Sequence, residues 1–492
     1  MAGERHRRHC GGGDVDRRRD PAVGVKTLVR KPPADERRLD VLGRMPRLRR
    51  VVMSRSFQPV SMLLLLAPFA LAIVAGLLGT SAGNRNFGIV FVWIVWWAVL
   101  MVLMVPGFGR IWCTICPIPA PGEWIQRRGI IGGGGKLRTL GLRWPRRLRN
   151  MWIQNVGFLI LALFSMIILT RPTVSAGVIL GLAGVAVSMS LLFENRVFCK
   201  YVCPIGGFIG LYSMAAPIEL RVRDTQVCVD HRSKDCITGN ERGYGCPWMV
   251  YPGKLDRNLD CGFCTECLKT CTMDNVVINL RRPGADLAKP GGGKQIDEAY
   301  KALIMLACSI IYPAVLFGPW ATVRGWASVE SLWGWAIYAT AFLSATLLFV
   351  PGVFWLTVFA AQRRSATGVT IRQAYREYAH SLIPLGLAAW MAFSVGFALT
   401  NGSYALAAVS DPLGWGWNLF GTSETGWTPY LSGTAPAIQA AILVGGLLFS
   451  IRTTLRVGFR HDPSGTTATR AAVPVVAFLL ASTLALLWLY LG

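Results

Sequence analysis

The chain has 492 residues, 53% of them hydrophobic and only 16% charged, with a mean hydropathy of +0.43. That composition excludes a soluble globular protein, because so long a chain with so little charge needs lipid around it. The formal charge of +25 would suit nucleic acid. However, Lys and Arg gather in the N-terminal region and in alternate loops between apolar runs, which is how membrane proteins are oriented, so nucleic-acid binding is excluded too.

Residues 1–55 carry sixteen Lys or Arg against seven Asp or Glu and no apolar periodicity, and predict a disordered cytoplasmic tail. Cys10 in it is incidental. Arg49-Arg50 precedes the first apolar run, Val60–Thr80, which is read as a retained helix because it is long enough to span and no small-residue cleavage site follows. Phe87–Pro106 is a second run. The loop Gly107–Asn150 has nine Lys or Arg against one acid, which places it with the tail on the cytoplasmic side. A second hairpin, Trp152–Thr170 and Val174–Phe193, returns the chain to that side.

Each hairpin ends alike. The first closes in Trp112-Cys113-Thr-Ile-Cys116-Pro117-Ile118, the second in Phe198-Cys199-Lys-Tyr-Val-Cys203-Pro204-Ile205, with the prolines 87 residues apart. An internal duplication accounts for this and puts two cysteine pairs at one membrane face. Residues 216–296 form the one sizeable polar insert, poor in aliphatic periodicity, which predicts a small lobe held together by its ligands. Five further spans follow near Tyr300–Trp320, Leu332–Phe359, His380–Leu406, Thr434–Ile451 and Ala472–Leu491. The expected fold class is therefore an all-α polytopic membrane protein of about nine transmembrane helices with a small inserted cytoplasmic ferredoxin-like iron–sulfur lobe. The divisions are 1–55 (tail), 56–215 (hairpins with Cys-Pro motifs), 216–296 (lobe) and 297–492 (five-helix membrane region).

Eleven of the thirteen cysteines lie between positions 113 and 271, a clustering that argues for metal ligation. Cys261-Gly-Phe-Cys264-Thr-Glu-Cys267-Leu-Lys-Thr-Cys271 has the x2, x2, x3 spacing by which a tight loop wraps the corners of a [4Fe-4S] cluster. Zinc would ask for two short pairs separated by a longer gap. Thr272 stands where bacterial ferredoxins carry proline. Upstream, Cys228, Cys236 and Cys246-Pro247 look like a stretched second motif. If ligands are exchanged as in two-cluster ferredoxins, Cys246 joins Cys261, Cys264 and Cys267, while Cys271 joins Cys228 and Cys236. The second site is then one thiolate short, open to a non-cysteine ligand, water or a three-iron cluster, with Asp230, His231 and Asp235 near in sequence. The alternative is one cluster on Cys261–Cys271 with the other three cysteines structural or zinc-bound. Cys113, Cys116, Cys199 and Cys203 form a candidate additional cluster, soft-metal site or dithiol pair. The five histidines offer no bis-His haem pair.

On these motifs the chain resembles the membrane polyferredoxins of nitrous oxide reduction and periplasmic nitrate reduction, with accessory iron–sulfur proteins of cytochrome oxidase assembly as more distant cousins. Cys199-x3-Cys203-Pro204 matches their motif and Cys113-x2-Cys116-Pro117 is one residue shorter. The likeness covers roughly residues 55–285. It implies a membrane-integral electron-transfer protein of the inner membrane, exchanging electrons with the quinol pool or a cytoplasmic donor and with a partner redox subunit, extracytoplasmic or flavin-bearing. A copper-handling protein using the Cys-Pro pairs is the competing reading, though no nucleotide-binding domain or Met-rich funnel accompanies them.

Overall fold

The computed structural model describes residues 38–131, 138–289, 295–316, 321–365, 368–431, 433–462 and 465–491. The basic segment 1–37, with Cys10, lies outside the described residues. Among those described, eight helices are long and apolar enough to cross a membrane: Phe57–Leu78, Phe87–Phe108, Pro172–Leu192, Ile296–Leu316, Leu332–Arg363, Ile371–Asn401, Ala435–His461 and Gly465–Leu491. The run Trp152–Thr170, expected as a further span, is built as two pieces, Trp152–Leu163 and Ser165–Thr170, broken at Phe164. Leu64, Leu78, Leu348 and Leu484 are each at least 65% exposed on these helices, which water would not tolerate over such a surface and lipid would. This is a multi-pass membrane protein.

Small residues set the close approaches between spans. A Cβ on Gly76 would lie 2.7 Å from the Ala176 Cβ and 2.8 Å from the Pro172 carbonyl, so the first and fourth expected spans meet backbone to backbone there. Gly446 meets Ala388 in the same way between two C-terminal helices.

A three-stranded antiparallel sheet forms the base of the polar insert, in the order β1 (Leu39–Asp40), β3 (Val276–Leu280), β2 (Ile218–Val222). Part of the segment expected as a disordered tail is thus folded. Leu39 pairs with Leu280, and the following helices Val41–Arg44 and Pro46–Met53 bury Leu42 and Val52 among Leu220, Phe263, Cys267 and Leu268. Charge counting missed this because the packing face is carried by a few apolar residues between arginines.

The insert is fastened to the helices by buried and half-buried polar contacts. Thr114 Oγ1 donates to the Gly262 carbonyl at 2.7 Å, and Lys200 Nζ to the Trp248 carbonyl at 2.7 Å. Arg257 donates to Glu298 at 2.8 Å, and His380 lies 3.3 Å from the same carboxylate, so two C-terminal helices grip the insert. Arg460 adds a contact to the Ala288 carbonyl and to Glu377. For the C-terminal spans, whose sequence shows only hydrophobicity, this clamp is a structural role.

Candidate iron–sulfur centres

The two Cys-Pro repeats differ by one residue, and the backbone absorbs the difference. Trp112–Ile115 is an α turn in which the Cys116 N–H donates to the Trp112 carbonyl. Phe198–Val202 is a wider π turn in which the Cys203 N–H reaches back five residues to Phe198. Both second cysteines finish in nearly the same extended conformation, φ −59° and ψ 125° at Cys116, φ −59° and ψ 116° at Cys203, as the following proline demands.

The repeats also embrace. An arginine stands three residues before the first cysteine in each, and each reaches the other repeat. Arg196 donates to the Cys113 carbonyl at 2.6 Å, and Arg110 to the Cys199 carbonyl at 3.5 Å. Arg196 is buried and also pairs with Glu123 at 2.9 Å, while Arg110 lies 4.2 Å over the Trp248 ring. These arginines were missed by cysteine counting, although Arg-x-x-Cys recurs in the sequence.

Cys113, Cys116, Cys199 and Cys203 share one apolar cluster with Cys264 and Cys246 of the insert. Burial pushes Cys199 up, Arg196 pulls it down, and Cys203, Cys113 and Cys116 push it up again, so the four thiols act on one another. Burial likewise pushes the Cys203 thiol up to about 11 against a hydrogen bond from the Gly206 N–H.

Within the insert the cysteines divide between two cavities. Cys246, Cys261, Cys264 and Cys267 line one of about 300 Å³ together with Trp248, Thr265 and Leu220. Cys228, Cys236 and Cys271 line another of about 340 Å³ with His231, Tyr251 and Asn275. Pro252 borders both. The loop wraps its cavity by placing Phe263 and Thr265 in left-handed backbone, φ 54° and 60°, on either side of Cys264. Non-glycine residues rarely adopt that conformation, and it is the kind of local strain that functional loops retain.

The donor set suits iron–sulfur. Among the described residues no three His, Cys, Asp or Glu side chains converge on one point as a single metal ion requires. The thiols instead surround cavities, as a multi-iron core asks. Backbone and amide donors are aimed at sulfur: Phe263 N–H to Cys261 Sγ at 3.4 Å, Asn275 N–H to Cys271 Sγ at 3.3 Å, Asn275 Nδ2 to Cys228 Sγ at 3.2 Å. Such hydrogen bonds stabilise thiolate ligands and tune cluster potentials. Burial pushes the Cys261 and Cys236 thiols each up to about 11, so loading these sites with metal releases protons.

Gly262 leaves no room for a side chain, since a Cβ there would run into the Trp248 indole. Gly262→Ala should force the ring or the loop aside, cost roughly 1–3 kcal/mol as overpacking does, and at least halve the iron held in purified protein. Unchanged iron would show that this contact does not shape the loop.

Comparison with known proteins bears on the same residues. A 4Fe-4S binding domain family matches residues 89–139 and again 175–222. The same family model thus matches the chain at two places. Each copy runs from an apolar helix into one Cys-Pro motif, so the matched residues contain Cys113, Cys116, Cys199 and Cys203 and stop short of the insert's cysteines. The chain is similar to the protein named "Putative electron transport protein YccM" of Escherichia coli (strain K12), 26% identical over 98 residues, 19% of this chain and 25% of that protein. It therefore spans only a quarter of that relative. It is also similar to the "Uncharacterized protein MJ0750" of Methanocaldococcus jannaschii, 23% identical over 188 residues, 36% of this chain and 74% of that one. No solved structure matches.

Proposed function

We propose that the chain is a membrane-integral iron–sulfur electron-transfer protein with centres at three places in series. Cys246, Cys261, Cys264 and Cys267 hold one [4Fe-4S] cluster, Cys271, Cys228 and Cys236 ligate a second, and Cys113, Cys116, Cys199 and Cys203 ligate a further one at the membrane edge. The observation that carries this is the sorting of the insert's seven cysteines into two adjoining cavities, one four-thiol and one three-thiol. When bound, such clusters supply one-electron chemistry. The protein's own part is to hold the thiolates, aim N–H groups at their sulfurs and keep water from the inner site, where Cys264 and Cys267 are 4% exposed.

The three thiol groups adjoin. Arg196 acts electrostatically on both Cys199 and Cys264, and Cys267 feels both Cys246 and Cys236. That continuity favours electron relay over metal transport, as does the printed name of YccM. We read the insert as cytoplasmic, with a redox partner, extracytoplasmic or flavin-bearing, beside it; the resemblance to nitrous-oxide and nitrate polyferredoxins supports that reading.

A membrane quinol fits as the lipid-phase donor. An aromatic cavity of about 550 Å³ opens between the spans, lined by Trp93, Trp97, Phe158, Tyr312, Trp390 and by Ile205, two residues beyond Cys203. Anaerobic purification should yield iron and acid-labile sulfide in equal amounts, a reduced-state EPR signal, and bleaching on quinol addition. Zinc without sulfide would overturn the iron–sulfur reading, and iron–sulfur unbleached by quinol would overturn the donor.

A further inference from the structure

Three thiols face the outer cavity of the insert, and a four-iron cubane has four corners. Of the other side chains on that cavity, Tyr251 gives its hydroxyl to the Cys228 carbonyl and Met273 is exposed, which leaves the imidazole of His231 as the fourth candidate ligand. Its two carboxylate competitors are elsewhere. Asp230 is exposed and accepts from Gln226 Nε2 at 2.9 Å, and neither it nor Asp235 lines the cavity.

The surroundings of His231 are those of a ligating histidine. The helix Thr225–Asp230, which carries Cys228, stops there, with the His231 N–H donating to the Val227 carbonyl. Three groups gather on Nε2: Ser233 Oγ at 3.0 Å, Thr272 Oγ1 at 3.3 Å and an Asp235 carboxylate oxygen at 4.0 Å. Nδ1 has no hydrogen-bond partner among the described residues. Metal-bound histidines are held in this way, one ring nitrogen oriented by hydroxyl or carboxylate while the other meets the metal. Thr272 is the residue that replaces the usual proline after the fourth cysteine. The two departures of this sequence from a two-cluster ferredoxin, a missing cysteine and a missing proline, thus meet at one imidazole.

We propose that His231, through Nδ1, is the fourth ligand of the Cys228/Cys236/Cys271 centre, making it a three-cysteine, one-histidine [4Fe-4S] site. Asp235, Ser233 and Thr272 position the ring. The inference rests on the two-cavity reading above. An imidazole in place of a thiolate leaves the cluster one negative charge less and raises its potential, as histidine ligation does in other iron–sulfur centres.

The test uses the full chain, purified anaerobically in detergent and reduced stepwise, with pulsed EPR for nitrogen coupling, iron and sulfide analysis, and redox titration. The wild type should show one cluster signal with a strongly coupled imidazole nitrogen. His231→Ala should lose that coupling and shift or lose this cluster only, sparing the signal of the Cys246/Cys261/Cys264/Cys267 site. His231→Cys should keep the full iron content but titrate at a lower potential, which also shows that the variant folds. Nitrogen coupling that survives His231→Ala, or an unmoved potential in His231→Cys, overturns the ligation. So does loss of the cluster in Asp235→Asn with His231→Ala unaffected. A wild type that shows no second cluster in the insert, with iron for the inner and membrane-edge sites only, overturns the two-cavity reading along with it, whereas full iron with no nitrogen coupling overturns only the histidine.

Discussion

Cys246→Ser should extinguish the same cluster signal as Cys264→Ser, although fourteen residues separate Cys246 from the Cys261 loop. Cys271→Ser, inside the loop, should spare that signal and remove the outer one. The reason is in the walls. Cys246 stands on the cavity of Cys261, Cys264 and Cys267, brought there by its N–H donating to the Cys236 carbonyl at 2.9 Å and by Trp248 folding over Gly262. Cys271 stands with Cys228 and Cys236, its sulfur receiving the Asn275 N–H. Each serine variant should lose roughly four irons per chain, one cubane's content. EPR on the reduced variants distinguishes the outcomes: if Cys271→Ser removes the inner signal while Cys246→Ser keeps it, the loop is a self-contained site and the exchange is wrong.

The second large effect concerns what holds the insert together apart from metal. Glu219, Arg221, Arg281 and Asp286 form a buried ionic network across β2, β3 and the return towards the membrane. Arg281 donates to Asp286 at 2.8 Å and to Glu219 at 3.0 Å, and Asp286 also accepts the Asn258 N–H at 2.8 Å. Burial alone would push the Asp286 carboxyl up, but Arg221, Arg281 and Lys289 outweigh it and hold it far below the usual range. Asp286→Ala leaves two guanidiniums buried around Glu219 and should cost about 3–5 kcal/mol, the usual penalty for breaking a buried ion pair from one side. Thermal unfolding or limited proteolysis of the insert would read it.

The sign with pH follows. A carboxylate whose folded pKa is depressed contributes full stability above its unfolded value of about 3.9, and that contribution fades as pH falls below it towards the folded value. Wild type and Asp286→Ala should therefore differ by a constant amount from pH 8 to about pH 5 and converge only in stronger acid. A difference that shrinks between pH 8 and pH 6 would mean another group carries the effect.

Much of this protein is legible locally. Apolar runs of about twenty residues are spans because lipid accepts nothing else. Cysteines at every third position form a ligand loop because spacing within eleven residues is set by backbone reach. The duplication shows in Cys-Pro-Ile repeated after each hairpin. These signals depend on neighbours in the chain, so they survive without any knowledge of packing. Others were present but weak, such as Arg110 and Arg196 at matching places in the repeats, or Leu39, Leu42 and Val52 hidden among arginines. The break at Phe164 inside an otherwise continuous apolar run left no trace in hydropathy.

Residue order by itself determined that this is a membrane chain, where its polar insert lies and which cysteines are candidate ligands. Only the tertiary structure chose between the two groupings that the cysteine spacing left open. Cys246 and Cys271 change places between cavities, His231 arrives beside Thr272 from forty-one residues away, Arg110 and Arg196 cross between repeats, and Glu298 and His380 clamp the insert from the C-terminal helices. Each of these is a long-range contact. Its partner is chosen by burial and by satisfying charges that cannot be left alone in a low-dielectric interior, and no local pattern encodes that choice.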